Sequence, residues 1–196
     1  MRKFLASIAA GALVFSLSAC SGSNDKLAQQ FREGNNKTYI AGDGTVTEFA
    51  AADRGAQISW KGVTESGQPL SSNELSGVVT VVNFWFAGCA PCRAEAKDLV
   101  EVAKTFASQG VQFVGVNVRD TADTALAFDR AHNINFPSII DYQTGSVVLA
   151  FTNTVSPNAV PTTLVIDKHG RVASRILGRL EKGTLSALIK TVVAEK

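Results

Sequence analysis

The chain has 196 residues, of which 45% are hydrophobic and 18% charged, enough apolar material for one packed domain plus flanking segments. Its 19 Lys and Arg stand against 17 Asp and Glu. Setting aside Arg2 and Lys3, which fall in an expected leader, leaves the two signs equal and gives no basic field for nucleic-acid phosphates.

Arg2 and Lys3 precede an apolar stretch from Phe4 to Leu17. That stretch is shorter than the roughly 20 residues a spanning helix needs, and its form predicts a signal peptide over 1–19. Leu17-Ser18-Ala19-Cys20 resembles the lipobox of bacterial lipoproteins, which implies a lipid on Cys20 and anchoring on the extracytoplasmic face of the cell membrane. An ordinary signal peptide or an uncleaved anchor is the alternative. The lipid also accounts for a third cysteine that has no partner. Residues 20–45 are rich in Ser, Gly, Asn, Gln and Asp, too polar to offset chain entropy by burial, and are read as a flexible tether. The globular domain is expected over 46–196.

Within it, Gln57–Val63 and Pro69–Leu75 flank Glu65-Ser66-Gly67 as a small hairpin or extended entry. Val78–Phe86 is a continuous β-branched and aromatic run, as in a central strand buried on both faces. Ala90–Ser108 has helical apolar spacing through Leu99, Val102, Ala103 and Phe106, and Val111–Val118 completes a strand–helix–strand unit. Thr121–Asn133 is a second predicted helix with Thr121 or Asp120 as its cap. Ser138–Tyr142 is a short edge element, and Gly145–Phe151 fits either a strand or a helical turn. Thr162–Asp167 and Arg171–Leu177 flank Lys168-His169-Gly170 as a hairpin, and Leu180–Ala194 is a closing amphipathic helix. This order is that of a thioredoxin-like α/β fold, a central mixed sheet flanked by helices, here with a short N-terminal hairpin extension.

Cys89-Ala90-Pro91-Cys92 stands where the central strand gives way to its helix. Disulfide exchange needs a thiolate nucleophile and a second thiol near enough to resolve the mixed disulfide. A helix N-terminus, with unpaired N–H groups and partial positive charge, favours thiolate over thiol. Cys89, earlier and expected to be the more exposed, is assigned the attack and Cys92 the resolution. The redox-active pair itself is the only cofactor expected. Packed structural cysteines, a structural disulfide and a zinc site are the competing readings; His132 and His169 show no ligand spacing for zinc.

From about Ala56 onward the sequence resembles the TlpA/ResA-like branch of the thioredoxin-fold thiol–disulfide oxidoreductases, through Val81-Val82-Asn83-Phe84-Trp85, the Cys-Ala-Pro-Cys core and Val160-Pro161-Thr162-Thr163. The resemblance implies a cis Val160–Pro161 bond lying against the cysteines and offering the Val160 backbone to an extended substrate. It implies proton transfer by Glu95, one turn beyond Cys92; a solvated glutamate paired with Arg93 or Lys97 is the plain alternative. Trp85 is expected to cover the floor of the site, or simply to pack. Gly88 departs from the family, where tryptophan usually precedes the first cysteine, and implies a lost apolar face and a looser loop.

The implied function is reduction of disulfides in exported proteins such as apocytochrome c, by a monomer served by a membrane thiol donor or acceptor. Oxidation or isomerisation of exported proteins is the alternative. A peroxiredoxin-like peroxidase fits less well, since the Pro and Thr of that loop are missing, as does a copper carrier resembling the Sco proteins, which have wider cysteine spacing and a distal histidine.

Overall fold

The computed structural model of the chain describes residues 45–154 and 159–195. The expected signal peptide, Cys20 and all of the expected tether except Thr45 lie outside the described residues. Thr45 already belongs to a strand, β1 (Thr45–Glu48), which the sequence reading did not foresee: its Thr-Val-Thr-Glu is short and mostly exposed and carries little hydrophobic signal.

The hairpin extension is β2 (Lys61–Val63) and β3 (Pro69–Ser71), followed by a 3-10 turn over Ser72–Leu75. The central unit is β4 (Thr80–Trp85), α1 (Ala90–Phe106) and β5 (Gln112–Asn117), then α2 (Ala122–His132) and β6 (Ser138–Ile140). The ambiguous Gly145–Phe151 stretch resolves into a short helix, α3 (Ser146–Ala150), started by Gly145 at φ 60°. β7 (Thr162–Ile166), β8 (Val172–Leu177) and α4 (Lys182–Val193) close the described chain. Six strands form one sheet in the order β1-β8-β7-β4-β5-β6. β4, β5 and β6 are parallel, while β7 and β8 turn back antiparallel and β1 pairs antiparallel with β8. This is the predicted thioredoxin-like arrangement, with β4 central.

All six residues of β4 are buried, as a strand covered by helices on both faces requires. Val82 and Phe84 join one apolar cluster with Trp60, Ile139 and Phe151; Val81 joins the other with Leu99, Phe106, Leu185 and Ile189. Each such side chain, fully buried, contributes roughly 1.5–3 kcal/mol. Gly115 of β5 is required by close approach, because a Cβ there would run into Ser138 Oγ and the Trp85 indole nitrogen. Any side chain at that position would push β6 away from the sheet. Thr121 holds the N-cap position of α2, as expected, but its Oγ1 pairs with Thr124 Oγ1 at 3.2 Å and caps no backbone N–H, while Asp120 accepts the Ala87 N–H.

Candidate active site

The sheet delivers the cysteines at the carboxyl end of β4. Cys89 is the N-cap of α1, its Sγ accepts the Cys92 N–H at 3.2 Å, and Pro91 occupies the first turn, where a missing N–H costs nothing. Cys89 and Cys92 form a disulfide with Cα atoms 5.2 Å apart. Among the described residues no group of three or more metal-holding side chains comes together. The expected difference in exposure is not found. Cys89 is 0% and Cys92 3% exposed, because the oxidised pair is drawn into the apolar cluster containing Trp85, Phe86 and Val160.

Nor is the loop before the pair loose at Gly88. Asp120 Oδ2 accepts the Ala87 N–H at 2.6 Å and the Asn117 side-chain N–H at 2.8 Å, while Arg93 Nη1 donates to the Ala87 carbonyl at 3.0 Å. Asn117 Oδ1 in turn accepts the backbone N–H groups of Arg119 and Asp120, so β5 and the start of α2 brace the loop. Asp120 therefore serves the active-site loop and not α2.

Behind Cys92 the site is polar but sealed. Glu95 is 0% exposed, which overturns the solvated alternative: Arg93 is bound to Ala87 and Lys97 pairs with Glu101. Asn83 Nδ2 donates to Glu95 Oε1 at 2.9 Å and to Thr163 Oγ1 at 3.0 Å, and the Leu180 backbone N–H donates to Glu95 Oε2 at 2.9 Å. Burial raises the Glu95 pKa to about 8 against the opposing pull of these two neutral donors. Leu180 had no sequence signal; it reaches Glu95 only because the β8–α4 connection folds over α1. Asn83 and Cys92 border a shared cavity of about 10 Å³, room for about one water molecule, with Trp85, Phe128 and Ser138.

Trp85 is 4% exposed, its ring centroid 4.4 Å from that of Phe128 and its Nε1 donating to Ser138 Oγ at 3.2 Å. It packs behind the cysteines and presents no open face to a substrate. The Val160–Pro161 peptide is cis, as the resemblance implied. Val160 is buried in the cluster that holds the cysteines. Thr162 Oγ1 holds the Ala159 carbonyl at 2.7 Å, and Gly178 donates its N–H to the Pro161 carbonyl at 2.8 Å. His132 stacks on Phe128, and His169 sits in the β7–β8 turn, where its backbone N–H donates to Asp167.

Residues 48–175 match the model of the AhpC/TSA family. The chain belongs to that family. It is 32% identical over 120 residues to the thiol-disulfide oxidoreductase ResA of Bacillus subtilis, a match covering 61% of this chain and 64% of that protein's length. It resembles a solved thiol:disulfide interchange protein of the thioredoxin family from Chlorobium tepidum, at 33% identity and TM-score 0.66, over 74% of this chain and all of the other. A secreted thiol-disulfide isomerase from Corynebacterium glutamicum is similar at 27% identity and TM-score 0.71, over 80% of this chain and 97% of its own. The thioredoxin-like fold and the ResA-like relationship expected from the sequence are borne out. With its Cys89–Cys92 pair, the chain is a thiol–disulfide oxidoreductase in class.

Proposed function

We propose that the chain reduces disulfides of exported proteins, apocytochrome c among them, from the outer face of the cell membrane, held there by lipid on Cys20 and recharged by a membrane thiol donor. The observation that carries this reading is Glu95, a carboxyl sealed beside the resolving cysteine, hydrogen-bonded only by neutral groups and held near pKa 8. In the reduced state the Cys89 thiolate attacks a substrate disulfide, and one substrate sulfur leaves as thiolate. In the fraction of molecules where Glu95, held near pKa 8, is ionised, Cys92 gives it its proton and attacks Cys89 Sγ, forming the Cys89–Cys92 disulfide and releasing the second substrate thiolate. Two electrons pass to the substrate, whose thiolates take protons from solvent, and an external dithiol restores the pair. The backbone at Val160 lines the path of the incoming chain, and the domain acts as a monomer. No helix among the described residues is long and apolar enough to cross a membrane. In this reading a lipid on Cys20 ties the domain to its donor.

The similarity to a secreted thiol-disulfide isomerase favours one second reading, oxidation or isomerisation of exported proteins by the same pair. The reduction potential of the full chain separates the two. Thioredoxin lies near about −270 mV and the strongest oxidants of this fold near about −120 mV. A value of about −250 mV or lower supports the reductase; about −150 mV or higher supports the oxidant and removes the cytochrome assignment.

A further inference from the structure

Asn83 lies within β4, 4% exposed, and its cross-strand partner on β7 is Thr163, 0% exposed. An amide nitrogen carries two N–H groups, and here both are spent: Nδ2 donates to Glu95 Oε1 at 2.9 Å and to Thr163 Oγ1 at 3.0 Å. Thr163 is the second residue after the cis Pro161. The other carboxyl oxygen is referred to the same place. Leu180, whose N–H meets Glu95 Oε2 at 2.9 Å, closely follows Gly178, whose N–H meets the Pro161 carbonyl at 2.8 Å. Both oxygens of the buried carboxyl are thus tied to the segment around Pro161, one through side chains and one through the backbone. Asn83 also borders, together with Cys92, the small cavity of about 10 Å³.

We infer that Asn83 and Thr163 are positioning residues for the resolving step, holding Glu95 in register with the cis-proline segment so that it takes the proton from Cys92. The inference deepens the function proposed above and rests on it. An N–H aimed at Oε1 favours the carboxylate, the form that accepts a proton, and after the Leu180 N–H it is the largest influence opposing burial. Thr163 keeps the amide facing that way. Without its hydroxyl the second N–H would be stranded against a methyl group, and the amide gains by turning over. Oδ1 would then accept the O–H of protonated Glu95 and hold the proton where Cys92 needs an empty site. The charged groups acting on Glu95 are Arg179, in the β8–α4 connection, which favours the carboxylate, and Asp98 of α1, which opposes it more weakly. β4 and β7 carry no charged side chain.

The test uses the full chain, reduced and freed of reductant, with an aromatic disulfide that releases two coloured thiolates. Attack by Cys89 Sγ breaks the probe's S–S bond and releases the first. Attack by Cys92 Sγ on Cys89 Sγ releases the second, so stopped-flow absorbance times both steps. Asn83→Leu is expected to slow the second release about 10-fold at pH 7, to change the first by less than about 2-fold, and to move the inflection of the second step upward from about pH 8. The deficit narrows at higher pH, where Cys92 ionises unaided. Thr163→Val, a smaller change that keeps the test open should Asn83→Leu not fold, is expected to slow the second release about 3-fold with the same upward movement. Thr163→Ser, which restores the hydroxyl, should recover most of that loss. A second release at the wild-type rate in Asn83→Leu or Thr163→Val, an inflection that stays in place, no recovery in Thr163→Ser, or both releases slowed alike at every pH overturns the inference. A slow second release in Glu95→Gln then leaves the proposed proton role of Glu95 standing. If Glu95→Gln releases the second thiolate at the wild-type rate, that role falls and the inference with it.

Discussion

Glu95 and Asp167 are carboxylates shut away from solvent toward the two ends of β7, one tied to Thr163 through Asn83 and the other just past Ile166, yet their protons are held in opposite ways. Around Asp167, burial pushes the pKa up but is outweighed by N–H donors from the Arg171 backbone and the Arg54 and Arg171 side chains, together with the His169 backbone, and the net movement is down. Arg54, its side chain 4% exposed, bonds Asp167 at 3.0 Å and Glu195 at 2.6 Å, so this cluster clamps the segment after β1 to the β7–β8 turn and the end of the chain. Around Glu95 every hydrogen-bond donor is neutral, burial wins, and the group stays protonated near neutrality. Burial alone does not say what a carboxylate is for; the number and charge of its donors do.

The largest effect should come from breaking the charged cluster. Asp167→Asn leaves Arg54 and Arg171 facing a neutral amide, and loss of one member of a buried pair costs about 3–5 kcal/mol. Denaturant unfolding of the oxidised protein measures this. Disulfide exchange by the folded fraction should survive, because the cluster lies at the other end of β7 from the cysteines. An equal loss of exchange in material shown to be folded would erase the division between a structural and a chemical carboxylate.

A slightly smaller effect should appear as pH dependence. The folded pKa of Glu95 lies above its unfolded value, so the folded state holds the extra proton and stability is greatest below about pH 4.5. It falls as pH rises toward about 8, by a few kcal/mol in all. Asp167 has the opposite sign: its depressed pKa stabilises above the unfolded value, and that contribution is lost as pH falls through the folded one. Unfolding of the oxidised protein, whose cysteines do not titrate, should show both limbs, and Glu95→Gln should flatten the upper one. A flat upper limb in the wild type would mean that Glu95 is ionised when folded.

Much of this division was legible in the sequence, but unevenly. The Cys-Ala-Pro-Cys core, the run through Val78–Phe86 and the Lys168-His169-Gly170 turn are local signals, and each became the element it announced. Glu95 could be placed one turn beyond Cys92 because helical spacing is local as well. Its donors could not all be found that way: Leu180 is 85 residues away and contributes only a backbone N–H, which any residue but proline carries. Arg54, Asp167 and Glu195 are likewise scattered along the chain, with nothing in their neighbours to mark a cluster. The burial of Cys89 follows from how the oxidised pair packs against Val160 and Phe86, not from its place at a helix end. β1 went unseen because an edge strand facing solvent needs no hydrophobic alternation.

Next in size is the kinetic role. Glu95→Gln removes the proton acceptor beside Cys92 and should slow collapse of the mixed disulfide by about 10²-fold, at the low end for general acid–base steps. The initial attack by Cys89 should change far less, so the mixed disulfide accumulates in a quenched-flow assay. The wild-type inflection near pH 8 in the resolving step should vanish in the variant. An unchanged inflection would assign that titration to Cys92 itself.

The smallest effect concerns a third carboxylate that lies between the two cases. Asp129 of α2 is half-buried, its Oδ1 is buried without a hydrogen-bond partner, and burial, followed by the nearby Glu65 charge, raises its pKa to about 7 against a weaker opposing pull from Arg130. With no donor on that oxygen, the rule drawn from Glu95 and Asp167 predicts the behaviour of Glu95, scaled down by exposure. Stability should decline as pH rises from about 4 toward about 7, and Asp129→Asn should remove that decline. Because solvent screens a half-exposed group, the gain at pH 8 is expected to stay below about 1 kcal/mol, with none at pH 4. A gain equal at both pH values would trace to the amide filling an unmet hydrogen bond, and Asp129 would then be a packing flaw instead of a weak member of the Glu95 class. A loss at pH 8 would mean that an unseen donor compensates the ionised form, and the charge of the visible donors would no longer suffice to sort buried carboxylates in this protein.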